Sequence, residues 1–227
     1  MAQSLPATGF LATQEMSQLP PRDWTVLLIG GSSATGKTQL AHRLMHHLGV
    51  STLGIDDLRM AMLQVTKRDV NADLFAWQPP EGVSLNEYAT RDNEEALVER
   101  YTAVASGVWP GLRIVIEIHL DTHSPVIIEG DGLLPELLDA YRHDARVRVL
   151  FLVDNKERLF ERQTARNRGG GRGAPRHLAF ARLAHRFGQI VAARAKDLVY
   201  PVLTAHPVET LEARAIKALE APSATSL

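Results

Sequence analysis

The chain is expected to fold as an α/β domain with a parallel sheet covered by helices on both faces, and three observations carry that expectation. Five short apolar runs, at about 24–30, 51–55, 125–130, 147–153 and 199–204, alternate with stretches of helical pattern, as strands buried on both faces do. Between the first run and the first helix lies Gly31-Ser32-Ser33-Ala34-Thr35-Gly36-Lys37-Thr38, a full G-x-x-x-x-G-K-[ST] phosphate-binding pattern. With 227 residues, 45% of them hydrophobic, the chain can fill one substantial core, so one domain is the default.

Each element follows from local chemistry. Residues 1–21 are rich in Ser, Gln, Pro and Thr, end in Leu19-Pro20-Pro21 and lack periodicity, so they read as a flexible arm before a domain at 22–221. The first strand feeds the phosphate loop, and the helix after it runs to Leu48, where Gly49 suits a C-terminal cap. The second strand delivers Asp56 and Asp57 at its end, on the edge where open α/β sheets bind ligands. A short helix is expected over 58–66, then an irregular stretch over 67–83. Ser84-Leu85-Asn86-Glu87 has capping-box spacing and opens a helix that continues from Tyr88 to Ala105. The stretch 113–119 is rich in β-branched residues, yet Leu112, Val115, Ile116, His119 and Leu120 share a helical face and Pro110 suits a first turn, so a separate helix is expected over 109–121.

After the third strand a helix is expected from Leu133 to His143. The fourth strand ends in Asp154-Asn155-Lys156-Glu157, again with Asp-to-Glu capping spacing, which predicts a helix over 155–167 stopped by Gly169-Gly170-Gly171-Arg172-Gly173. Helices over about 175–196 and 208–219 flank the last strand.

Composition narrows the function classes. The absence of cysteine removes disulfides, thiolate metal sites and cysteine nucleophiles. No apolar run approaches the ~20 residues of a membrane span, and no signal-peptide layout is present, so a soluble, cytoplasmic protein without a membrane partner is expected. A net charge of −1 gives no global pull toward nucleic acid, and a nucleic-acid partner is not expected. The charge is uneven, however. Between Lys156 and Arg186 nine basic residues stand against two acids, which reads as a solvated face, a phosphate clamp or a nucleic-acid patch, with the clamp favoured beside a phosphate loop.

The phosphate loop itself is the most specific signal. Its glycines let backbone N–H groups wrap a polyphosphate at the positive end of the next helix; Lys37 is placed to reach the β and γ phosphates and Thr38 to ligate Mg²⁺. Two histidine pairs at helical spacing, His42 with His46 and His119 with His123, lack a third ligand position and read as ordinary histidines. Trp77 and Trp109 are open to a pocket role, though core burial is the commoner fate.

The loop GGSSATGKT, GIDDLR at 54–59, VIIEGDGLLP at 126–135, the arginine-rich helix 158–168 and VYPVL at 199–203 occur in an order that resembles the P-loop small-molecule kinases, most closely the 2-phosphoglycerate kinase-like branch, with nucleoside monophosphate kinases as more distant relatives. The likeness covers about residues 20–220. It implies a three-layer P-loop NTPase fold with a five-stranded parallel sheet in the order 2-3-1-4-5 and an arginine-rich mobile lid at about 158–176. The implied activity is ATP- and Mg²⁺-dependent phosphoryl transfer to a small, anionic hydroxyl acceptor. Rival readings are an NTPase switch without an acceptor, or a kinase of a sugar, nucleoside, antibiotic or nucleic-acid end.

Site roles follow on that basis. Gly31, Ser32, Ser33, Ala34, Thr35, Gly36, Lys37, Thr38 and Gln39 would bind nucleotide, although Ala34-Thr35 replace the Gly-Val common in the family. Asp56 would hold or deprotonate the acceptor hydroxyl, or merely cap a helix; Asp57 is open between substrate contact, cap and surface. Arg59 would face an anionic substrate or sit in a surface ion pair. Glu129 would hold a Mg²⁺-bound water or touch substrate, and Asp131 would touch substrate or cap the following helix. Arg158, Arg162 and Arg166 share a helix face; Arg162 and Arg166 are the expected transition-state cations, with Arg158 and Arg168 behind them, unless Glu157 and Glu161 pair with these arginines instead. By resemblance alone, the nucleotide base is expected near His206 and Pro207. Acceptor and oligomeric state are not specified by the sequence.

Overall fold

A computed structural model describes residues 22–166 and 175–220. The N-terminal arm, the glycine run 169–173 and Arg168 lie outside them, as does the Arg166 side chain, so the expected lid is described only in part.

Twelve α-helices and strands follow in order along the described residues: β1 Val26–Gly31, α1 Lys37–Leu48, β2 Ser51–Gly54, α2 Ile55–Val65, α3 Leu85–Thr90, α4 Glu94–Asp121, β3 Val126–Glu129, β4 Val147–Val153, α5 Lys156–Arg166, α6 Pro175–Asp197, β5 Val202–Thr204 and α7 Val208–Glu220. The strands form one parallel sheet in the order β2-β3-β1-β4-β5, as the resemblance implies. All of β1 is buried, and its side chains alternate between two cores. Val26 and Leu28 join Leu63 of α2, Leu112 and Ile116 of α4 and Phe187 of α6 on one face. On the other, Leu27 and Ile29 join Leu40 and Leu44 of α1 and Leu211 of α7. Three layers result, with the carboxyl ends of β1, β2 and β3 opening at one edge.

Four expectations need correction. The stretch Leu133–His143 is not an α-helix. Successive i to i+3 bonds, Leu137 N to Leu134 O and Leu138 N to Pro135 O, lead into a 3-10 turn at Asp139–Tyr141. Pro135 offers no N–H, and Leu133, Leu134 and Leu138 are all fully buried, so packing against the rest of the core rather than helix propensity sets the backbone here.

The expected helices at 88–105 and 109–121 are also redrawn. The Ser84 cap is real, its hydroxyl accepting from Glu87 N at 3.2 Å, but α3 ends at Thr90 and Asn93 opens a new helix by accepting from Ala96 N at 2.9 Å. From there α4 runs unbroken for 28 residues through Pro110, whose missing N–H leaves the Ser106 carbonyl without its usual partner. By length and composition this helix is apolar enough to cross a bilayer, a test that a core helix also passes; it lies here across the sheet, with Leu97, Val108, Leu112 and Ile116 buried. The last strand shrinks to three residues because Val199 takes a left-handed φ of 62° and Tyr200 N bonds Ala195 O, closing α6, before Pro201. Finally, Asn155 rather than Asp154 caps α5, accepting from Arg158 N at 3.0 Å.

Candidate active site

The phosphate loop joins β1 to α1 through a backbone that only certain residues tolerate. Gly31 has φ 126°, and a Cβ there would collide with the Leu152 carbonyl of the neighbouring strand, so glycine is obligatory. Gly36 has φ 91° and immediately precedes Lys37, the first residue of α1. Between them Ala34 sits at φ 66°, a conformation that costs a non-glycine residue roughly 1–2 kcal/mol; the departure from the common family pattern therefore has a structural counterpart. Ser32 and Thr35 lie fully buried beneath the loop, with Thr35 Oγ1 donating to Ser32 O at 2.8 Å, and the Ser32 hydroxyl has no hydrogen-bond partner.

Lys37 is almost buried. Its Nζ donates to Ser32 O at 2.9 Å and pairs with Asp131, whose other oxygen accepts from the Tyr101 hydroxyl. Burial, reinforced by the charge of Asp131, holds the Tyr101 hydroxyl well above its ordinary pKa, so it stays a proton donor. No helix follows Asp131, and its capping role is therefore removed. Beside this pair, Thr38 Oγ1 donates to Glu129 Oε1 at 2.9 Å. Burial raises the Glu129 pKa, opposed in part by Lys37 and the Thr38 hydrogen bond. Among the described residues no group of three His, Cys, Asp or Glu gathers as a metal cluster.

Asp56 and Asp57 fall in the first turn of α2, a helix that begins at Ile55, earlier than expected. Asp56 borders two cavities. The smaller, about 80 Å³, is polar and lined by Ser33, Ala34, Gly36, Lys37, Thr38 and Glu129 along with Asp131. The larger, about 260 Å³, opens between α2, α4 and α6 and holds Arg59. Ser33, Asp56 and Asp131 border both, so the two spaces adjoin. Asp57 is exposed and borders neither. Burial lowers the Arg59 pKa against the opposing charge of Asp56, and the Arg59 Nε is buried without a hydrogen bond.

From the far side α5 reaches over the loop. Arg162 Nη1 donates to Ala34 O at 2.9 Å and lies 3.3 Å from Asp154 Oδ2, a charge contact without hydrogen-bond alignment; its Nη2 lies 3.0 Å from His206 Nε2. Gln163 Nε2 donates to Ser33 Oγ at 3.3 Å. Arg158 lies 3.8 Å from Asp154. Among the described residues, then, Asp154 rather than Glu157 or Glu161 is the carboxylate facing these arginines, which is possible because Asn155 has taken over the cap. A narrow groove between α1, α5 and α7 is lined by Gln39, Arg43, Arg162 and Val208.

Sequence reasoning missed Tyr101, Gln163, His177 and Phe180, all of which line the larger cavity. Gln163 was within reach, since it adjoins Arg162. The others sit on long helices where an aromatic or histidine reads as core until the neighbouring element is placed. Trp77 does line the cavity, whereas Trp109 packs on Tyr141.

A parallel sheet in this order, with a glycine-wound loop between its central strand and a helix carrying Lys37 and Thr38, defines a P-loop nucleotide-binding fold. The family profile described as "AAA domain" matches residues 26–189, and the chain belongs to that family. Among curated proteins it is similar to a 2-phosphoglycerate kinase of Methanocaldococcus jannaschii, 29% identical over 187 residues, covering 78% of this chain and 57% of that protein. A 2-phosphoglycerate kinase of Methanococcus maripaludis is 26% identical, with 78% and 58% covered. The chain thus spans somewhat over half the length of these relatives. Among solved structures, an unliganded sugar kinase from Janibacter sp. shares the fold, with a TM-score of 0.50, 20% identity and coverage of 88% of this chain and 97% of that one.

Proposed function

We propose that the protein is an ATP-dependent kinase that transfers the γ-phosphate to a hydroxyl of a small, anionic metabolite. The observation that carries this reading is the shared wall of Ser33, Asp56 and Asp131 between the polar cradle and the larger cavity. A donor phosphate in the cradle and an acceptor in the cavity would meet there, and proximity with alignment is most of what phosphoryl transfer needs.

The residues fit the groups this requires. The cradle offers loop N–H groups, the helix N-terminus and Lys37, which suit a polyphosphate. Thr38 and Glu129 suit a hydrated Mg²⁺ that takes its remaining ligands from phosphate and water, and this ion would neutralise charge on the transferred group. Lys37 would exchange Asp131 for phosphate oxygens, and Arg162 would turn from Ala34 O toward the same charge, with Arg166 as its partner from the lid at about 158–176. Asp56 would orient the acceptor hydroxyl and take its proton; Arg59 would meet the acceptor's anion. His206, held by Arg162, would lie toward the nucleotide base. Of the named acceptors, 2-phosphoglycerate comes from the relatives, and a sugar, nucleoside or antibiotic hydroxyl is the alternative. A soluble, cytoplasmic setting belongs to the same reading.

The deciding assay uses γ-labelled ATP with pooled hydroxyl metabolites. Label is expected in an acceptor. Lys37→Ala should lower transfer by about 10²–10³-fold, and Asp56→Asn by about 10²–10⁴-fold. Label released only as free phosphate in every pool would favour an NTPase switch, and full transfer by the Asp56 variant would remove its role.

A further inference from the structure

The larger cavity has walls that a small hydrophilic acid does not use. Trp77, from the irregular segment before α3, stands 5.7 Å from Tyr101 of α4, edge to face at 77°, and 5.8 Å from Phe180 of α6. Val104 and Val108 of α4 continue the apolar surface. Three aromatic rings from three separate segments thus form one continuous aromatic wall of a space of about 260 Å³, room for roughly nine waters by liquid volume. Pockets of this composition bind by burying apolar ligand surface, with a few polar groups fixing orientation.

Asp56 and Asp131 stand where the cavity meets the cradle. Two further lining groups lack partners: Arg59, one turn along α2 from Asp56, has its Nε buried and unpaired, and His177 of α6 is 3% exposed with neither ring nitrogen hydrogen-bonded. Native structures keep few such groups without a reason. A neutral imidazole donates from one nitrogen and accepts at the other, which suits a carboxyl or phosphate oxygen beside a hydroxyl. Arg59 is the only guanidinium or ammonium among the cavity's described lining residues, a poor match for an acceptor bearing both a phosphate and a carboxylate.

Resting on the kinase reading, we propose that the acceptor is a hydroxyl compound built on a flat apolar ring with one acidic group. The ring lies against the wall of Trp77, Tyr101 and Phe180, and the acid is selected by Arg59 and His177. The ring acts as the size gauge, and the orphaned donors as the charge gauge.

Calorimetric titration of the protein with Mg²⁺ and a non-hydrolysable ATP analogue tests this, using 4-(hydroxymethyl)benzoate, its neutral amide, glycerate and 2-phosphoglycerate as probes. The ring acid is expected to bind at least about tenfold more tightly than either aliphatic acid. Trp77→Ala should weaken it about tenfold while Trp77→Phe stays within about threefold. Arg59→Gln should erase the preference for the acid over its amide, and His177→Leu should weaken the acid without erasing that preference. Phe180→Ala gives the same reading as Trp77→Ala if the latter does not fold. Equal or tighter binding of 2-phosphoglycerate, or a ring-acid affinity indifferent to the wall variants, overturns the proposal. Transfer of labelled phosphate is scored separately: a bound ring acid with no acceptor ever phosphorylated would sink the kinase reading and leave the pocket assignment standing, whereas phosphorylated 2-phosphoglycerate without ring-acid binding would do the reverse.

Discussion

Glu129 carries a conflict between burial and charge that its neighbours only partly relieve. Desolvation raises its pKa above the ordinary 4.5 despite Lys37 and the Thr38 hydroxyl. For a carboxylate raised in the folded state, the native protein binds the proton more tightly than the unfolded chain. Its ionised form therefore costs stability above the raised value, and that cost fades as pH falls toward 4.5. Glu129→Gln should accordingly raise the Tm of the ligand-free protein at pH 7.5, by an amount that shrinks at pH 5, because the amide oxygen still accepts from Thr38. The same change should weaken Mg²⁺-dependent nucleotide binding. Parallel melts at the two pH values check the first expectation, and an unchanged or lowered Tm at pH 7.5 would contradict it. Under the proposed function, a cation bound beside Glu129 would relieve that cost.

At the scale of elements, α4 shows how a backbone contact outranks propensity. Gly107 sits inside this helix, where alanine would ordinarily add about 1 kcal/mol. Yet a Cβ at Gly107 would run into the backbone of Leu74, and the Gly107 carbonyl accepts from Asn71 Nδ2 at 2.8 Å. Backbone cannot swing aside like a side chain, so overpacking should win: Gly107→Ala is expected to lose about 2 kcal/mol net, lowering the Tm by roughly 4–8 °C. Thermal denaturation of that variant decides which effect dominates. The same contest explains which elements were legible in the sequence. Strands β1 to β4 and α1, α5, α6 and α7 announce themselves because propensity and pattern agree. Leu133–His143 and the Pro110 junction misled because long-range contacts decide them: the burial of three leucines, and the docking on α4 of a 3-10 turn at Asp73–Phe75, whose Leu74 backbone meets Gly107. At the site, Lys37, Thr38 and the acids were legible as a motif. The Lys37–Asp131–Tyr101 chain and the aromatic wall were not, since their members come together only when α4 and α6 pack on the sheet.

For the whole molecule, a nucleotide that binds only the folded state must stabilise it. At a free concentration 100 times its Kd, Mg²⁺-ATP would add about 2.7 kcal/mol, a Tm rise of roughly 5–10 °C for a chain of this size. Lys37→Ala should abolish most of that shift, whereas a shift retained in full would place the nucleotide elsewhere. The adjoining cavities carry a thermodynamic consequence as well. Because Ser33, Asp56 and Asp131 border both spaces, occupying one alters the electrostatic and steric surroundings of the other. Whatever factor the first ligand imposes on the affinity of the second is returned in equal measure. The two occupants are then linked variables of one equilibrium, and neither has a binding constant that can be quoted without stating the concentration of the other.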